Sequence, residues 1–263
     1  MDELIDIANT VNTPEQAVEE FVGEQFIEWL MDHIAKQIQA WPVILQMESI
    51  QARPEKIKKL LLQRFLAQEA FLGERDKDPG FLRFAIANLS ESDDPTAEGA
   101  LEILEKRRQD ELIGHTIERG VIHTANRQLW VRLLLALGAS QEEIDRAEPK
   151  ELTRNYIAEL SDVYSSSEWP TTVGAFAAQE RAEIEEFRAI RTMLKNNTSL
   201  TDKDMEIFHI KAGSDANYVL NTSHILDKIV FDSETKQLVW DGVKRQLEIR
   251  QEFLDNLIKY LHT

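Results

Sequence analysis

Glu111, His115 and Glu118 stand at i, i+4 and i+7 in the stretch KRRQDELIGHTIERGVIHTANRQLW, residues 106–130. At about 100° per residue they fall within roughly a 60° arc of one helical face, so two carboxylates and an imidazole could meet at one point. Carboxylate oxygens and an imidazole converging in this way could ligate a metal ion. His123 lies beyond Gly120, where the helix is expected to break; it either folds back toward that point or belongs to the surface. The same residues also fit an exposed turn held by i,i+4 pairing, and that alternative stays open.

Two later stretches read as partners. Glu180 follows VGAFAAQ, whose small residues predict a helix packed closely on its neighbours, so a carboxylate there needs a cation or a hydrogen-bond donor. Glu183, Glu185 and Glu186 continue as a run of acids, which reads as a solvated face. In FHIKAGSDANY, residues 208–218, Lys211, Asp215 and Tyr218 share one face at i, i+4 and i+7. His209 is about 120° from Asp215 on an ideal helix, and the two can serve one site only if the helix is irregular near Gly213. His224 and His33 read as surface or core residues.

The elements that must carry these side chains are helical. Thr13-Pro14 opens a helix whose apolar residues Val18, Phe21, Phe26, Leu30 and Ile34 recur at helical spacing as far as Trp41-Pro42. Further helices are predicted after Pro54, from Thr96 into the 106–130 stretch, over 126–138 ending at Gly138, from the Ser140 capping box, and over 152–163. Three more are predicted over 171–194, 202–230 and 235–261. No run of period two predicts a strand. The fold class is all-α, one compact bundle of about eight helices spanning residues 1–263, with 1–13 as a loose lead-in.

Composition narrows the function. The 263 residues hold 47 acidic against 30 basic side chains, net −17, which repels phosphate backbones and anionic membranes. No apolar run approaches the ~18 residues that span a bilayer, and the acidic start lacks the pattern of a secretory signal. With no cysteine and six histidines, disulfides and thiolate chemistry are excluded, and any metal site must be built from imidazoles and carboxylates. A cytoplasmic protein with a small-molecule substrate is expected, without nucleic-acid or membrane partners; a homodimer is left open.

A carboxylate and histidine on a middle helix, a lone Glu on a later helix and a histidine–aspartate segment on the penultimate helix resemble the layout of the haem-oxygenase-like di-iron oxidases. WPVILQ at Trp41, FLAQEAF at Phe65, QDELIG at Glu111, RQLWVRLLLALGAS at Arg127, VGAFAAQE at Gly174 and EIFHIKAGSDANY at Glu206 carry the likeness. Lys211 and Tyr218 stand where the family's pattern has histidines, and Asn126 stands where a histidine precedes its Leu-Trp pair. The resemblance implies two Fe(II) ions, O2 as co-substrate and an oxidase or oxygenase reaction on a small amino-acid-derived or fatty-acid substrate. Its metal ligands would come from Glu111, His115, Glu118, His123, Glu180, His209 and Asp215. Lys211 and Tyr218 could bear on proton or redox transfer. A metal-free binding protein on the same scaffold is the alternative.

Overall fold

The structure is a computed structural model, which describes residues 13–72, 80–93, 97–113, 116–117, 121–122, 125–210, 223, 226–227 and 232–262. Helix α1, Pro14–Glu20, opens with a capping box: the Thr13 hydroxyl accepts from the Gln16 amide at 3.3 Å and the Gln16 side chain accepts from the Thr13 amide at 3.2 Å. The chain then turns through Gly23, whose φ of +46° suits a residue without a Cβ. Helix α2, Glu24–Gln39, follows, so the single helix expected as far as Trp41 is two. Pro42 opens α3, Pro42–Ser49, and Pro54 opens α4, Pro54–Leu72.

Helix α5 spans Phe81–Ser90 and α6 spans Ala97–Ile113. Two-residue strands β1, Thr116–Ile117, and β2, Val121–Ile122, pair antiparallel with Thr116 opposite Ile122. Helix α7, Asn126–Ala136, ends before Gly138 at φ +83°. The Ser140 hydroxyl caps α8, Gln141–Asp145, by accepting from the Glu143 amide at 3.0 Å. Then come α9, Glu151–Tyr164, and α10, Trp169–Asn197, followed by a helical segment over 206–210. Asp232 caps α11, Ser233–Leu257, and α12, Lys259–His262, closes the bundle. The described residues thus hold twelve helices besides segment 206–210, where about eight were expected; the breaks at Gly23 and Ile258, the short α3 and the helix α5 were not anticipated. No helix among them is long and apolar enough to cross a membrane.

Helix α10 is the axis of this arrangement, packing against α2, α3, α5, α9 and α11. Between Thr172 and Phe187 only Arg181 is not buried, so this helix is enclosed nearly all round. Its small residues let α11 approach backbone to backbone. A Cβ built on Gly174 would lie 2.0 Å from the Val239 carbonyl oxygen, and one on Gly242 would lie 1.9 Å from that of Thr171. Each helix therefore fits a glycine notch to the other's backbone. Gly174→Ala or Gly242→Ala is expected to cost at least about 2 kcal/mol in urea unfolding, because overpacking here meets backbone that cannot rotate away; an unchanged midpoint would contradict this contact.

Candidate functional site

At i, i+4 and i+7 on α10, Gln179, Glu183 and Glu186 point one way, and all three are buried. Facing them are Arg64 on α4 and Arg250 on α11, each at most 2% exposed. Arg64 Nε donates to Glu186 Oε1 at 2.5 Å, and its Nη2 donates to Glu183 Oε1 at 3.3 Å. Arg250 Nε donates to Glu186 Oε2 at 3.0 Å, with Nη2 reaching the same oxygen, and its Nη1 donates to Gln179 Oε1 at 2.5 Å. Gln179 Nε2 donates to Glu183 Oε1 at 2.7 Å, which closes a ring of five side chains across three helices. Gln68 and Gln246 extend it at 3.1 and 2.8 Å. The expectation that Glu183, Glu185 and Glu186 form a solvated face is overturned: Glu185, also buried, is held by Arg181, Arg188 and Gln39 on another side of the helix.

Charge in this ring is compensated within it. Burial acts most strongly against the Arg250 cation, but Glu186, Tyr156 and Glu183 together outweigh it, and its pKa is raised. Arg64 is raised in the same way, burial and Arg250 opposing and Glu186, Glu183 and Tyr156 together prevailing. Tyr164 ends α9 inside the core, edge-on to Phe71 at 5.9 Å and stacked near Phe81 at 6.0 Å. Burial pushes its phenol well above the usual value, and its hydroxyl has no hydrogen-bond partner among the described residues.

Beside the ring lies an aromatic cluster. Trp130 of α7, Phe187 of α10 and Phe208 of segment 206–210 meet edge to face, with centroids 6.0, 5.7 and 5.5 Å apart. The Arg64 guanidinium lies 5.4 Å from the Phe187 ring centre, joining the cluster to the polar ring. Glu180, 1% exposed, stands seven residues before Phe187 and so on the same stripe of α10. Three elements converge here: the helix bearing Glu180, the helix that follows His123, and the segment that precedes Asp215.

No family model matches the chain, and no curated protein matches it. Solved structures do. A CADD-like protein of unknown function from Nostoc punctiforme superposes with a TM-score of 0.68 at 16% identity, over 89% of this chain and 99% of its own. A TenA homologue from Pseudomonas syringae pv. tomato gives 0.66 at 13% identity, over 94% and 98%. A domain of unknown function from Shewanella denitrificans with a heme oxygenase-like fold gives 0.64 at 15% identity, over 90% of each. The chain has the haem-oxygenase-like fold.

Within that fold the sequence candidates fare unevenly. Glu180 is buried where the small-residue helix was expected to put it. His209 is exposed, on the outer side of a segment whose Phe208 points inward. Glu111 lies in α6, but α6 ends at Ile113 and Thr116–Ile117 is a strand. The single helical face drawn through Glu111, His115 and Glu118 is therefore not formed. The Glu111 side chain and the whole of His115, Glu118, His123, Lys211, Asp215 and Tyr218 lie outside the described residues. Among the described residues no three His, Asp or Glu side chains gather to hold a metal ion. The carboxylates buried in the described interior include Glu180, Glu69, which accepts from Arg127 Nε at 2.9 Å, and Glu183 and Glu186, which face guanidiniums.

Arg64, Gln179, Gln246 and Arg250 were not singled out from the sequence. The signal was present: Arg64 interrupts the apolar stripe Leu60, Leu61, Phe65, and Arg250 interrupts Leu247, Phe253, Leu254. A charge standing inside an apolar stripe must be paired. His33, read as surface or core, is half-buried, stacked on Trp29 at 4.8 Å and edge-on to Trp240 at 5.4 Å. Burial lowers its pKa, with Asp32 opposing and Lys36 adding to the fall.

Arg250→Leu is expected to cost about 3–5 kcal/mol by denaturant titration, because Glu186 loses one of its two guanidiniums in the interior. Adding Glu186→Leu should recover part of that loss, and a double-variant cycle showing no coupling would contradict the ring. For His33 the folded state favours the neutral ring, so its stabilisation is present above the ordinary value of 6.5 and is lost as pH falls through the lower folded value. Between pH 7 and 5 the native chain should lose more stability than His33→Leu, measured by thermal melts; parallel profiles would refute this.

Proposed function

We propose that the chain is a non-haem iron, O2-dependent oxidase or oxygenase acting on a small amino-acid-derived or fatty-acid substrate, with Glu180 as a metal ligand. The supporting observations are the convergence at Trp130, Phe187 and Phe208 and the burial of Glu180 two turns earlier on the Phe187 stripe of α10. The remaining ligands are assigned to Glu111, His115, Glu118, His123 and Asp215 on the sequence pattern, His123 standing just before α7 and Asp215 just after segment 206–210. His209, being exposed, is left out of this set. Iron bound there would supply the reductive activation of O2 that carboxylate and imidazole ligands permit.

The chain's own residues contribute position and dryness. Gln179 and Glu183, tied to Arg250 and Arg64, fix the rotation of α10 and with it the direction of Glu180. The three edge-on rings exclude water from the cluster side, where an unscreened carboxylate interacts strongly with a cation. Lys211 and Tyr218 are retained as candidates for proton transfer on their place in the sequence pattern.

One observation favours the second reading, a metal-free binding protein on this scaffold. Glu183 and Glu186, two carboxylates in the middle of the bundle, are neutralised by arginines rather than left for metal ions. Anaerobic Fe(II) titration followed by elemental analysis separates the two. The iron reading expects stoichiometric binding and a higher melting temperature with Fe(II), both lost in Glu180→Gln while that variant stays folded. No binding by the native chain would establish the metal-free reading.

A further inference from the structure

We propose that Tyr164 is a substrate-contacting residue of the interior around Glu180, and that its hydroxyl selects a small molecule whose entering end carries an uncharged oxygen acceptor. The inference rests on the reading of that interior as the substrate site and narrows the class of substrate.

Tyr164 closes α9 and is wholly buried. Its place is fixed on several sides. Phe71 stands edge-on to the ring at 5.9 Å and Phe81 stacks near it at 6.0 Å, while Asn88 Nδ2 donates to the Tyr164 carbonyl at 3.5 Å and to that of Ser166 at 2.7 Å. Nothing in this packing calls for the hydroxyl, since a phenylalanine ring would fill the same place between Phe71 and Phe81. The Tyr164 hydroxyl has no hydrogen-bond partner among the described residues. A buried hydroxyl in that position has given up its hydration without return from the fold, so its partner has to come from elsewhere.

The surrounding charges define that partner. Burial first, then Tyr156, Glu180 and Glu183, push the phenol well above its usual value, with Arg250 opposing. The hydroxyl therefore keeps its proton at neutral pH and stands close enough to Glu180 and Glu183 to feel both. A held proton is a hydrogen-bond donor, which an oxygen acceptor satisfies and a hydrocarbon does not. A carboxylate brought to the same point would add negative charge beside Glu180 and Glu183, while Arg250 is already bound to Glu186 and Gln179. An amide, carbonyl or hydroxyl oxygen meets the donor without that repulsion. Of the two substrate classes, an amino-acid-derived molecule with an uncharged polar side chain fits. A saturated fatty acid, charged at one end and hydrocarbon at the other, does not.

The test is isothermal titration calorimetry of the full chain, without iron, with L-glutamine, L-norleucine and L-glutamate, whose side chains are similar in length and end in an amide, a methyl and a carboxylate. The proposal expects saturable one-to-one binding of glutamine, tighter than either analogue by roughly three- to tenfold, the scale of one uncharged hydrogen bond. In Tyr164→Phe glutamine should fall to the affinity of norleucine while norleucine is unchanged; a role in packing alone would move both together. Without ligand, Tyr164→Phe should unfold in urea at the native midpoint or above it, because the fold loses no hydrogen bond. Absence of saturable glutamine binding, equal affinity for glutamine and either analogue, or a lowered urea midpoint in Tyr164→Phe would overturn the proposal. Glutamine selectivity in a chain that takes up no Fe(II) would remove the iron reading and keep this one, and Fe(II) uptake without that selectivity would do the reverse.

Discussion

Glu186 sits between two guanidiniums in a bundle interior with almost no access to water, and the arrangement of α4, α10 and α11 depends on that clamp. Desolvating two arginines and two glutamates costs several kcal/mol per ion, and only a geometry in which each charge meets its opposite returns it. The ring meets that condition because each arginine binds two acceptors within it, Arg64 reaching Gln68 as well, and Gln179 both donates and accepts. Removing any member leaves a charge or an amide stranded where neither solvent nor a neighbouring side chain is placed to replace it. The clamp adds little net stability over an apolar core, but it specifies one register of three helices among many that would bury similar area.

That register is also imposed sterically. The notches at Gly174 and Gly242 lie one to two turns from Gln179 and Gln246, so the close contact sets how α11 runs along α10 just before the polar ring begins. Arg250 then meets Glu186 without a choice of partner. The aromatic cluster continues the same logic outward, since Arg64, which closes the ring, also lies against Phe187. Notch, ring and cluster form one connected line through the long helix, on which Glu180 is also buried.

Much of the architecture was legible in the sequence, because caps and periodicity are local signals. Thr13, Ser140, Gly138 and the small residues of 174–178 each marked what they were expected to mark. Glu183 and Glu186 were misread because hydrophobic periodicity treats a carboxylate as a vote for solvent, while the arginines that pair with them lie more than sixty residues away at Arg64 and Arg250. The Glu111, His115 and Glu118 face failed for a different reason. Gly114 and Gly120 bracket a stretch rich in Thr, Ile and Val, residues that favour extended backbone, and β1 and β2 form there. The burial of Glu180 was legible because its cause, a run of small residues that packs the helix tightly, is local.

The paired glycine notches have a consequence for how the interior can be reached. Backbones in direct contact through reciprocal pockets cannot slide along one another without first separating, so α10 and α11 move as one rigid piece. Shear, the usual small-amplitude motion of packed helices, is therefore denied to the pair at the centre. Any path that admits a small molecule to the buried polar groups has to be opened by the helices around that piece. The long helix and its partner are the fixed wall of the protein, and its moving parts are on the other side.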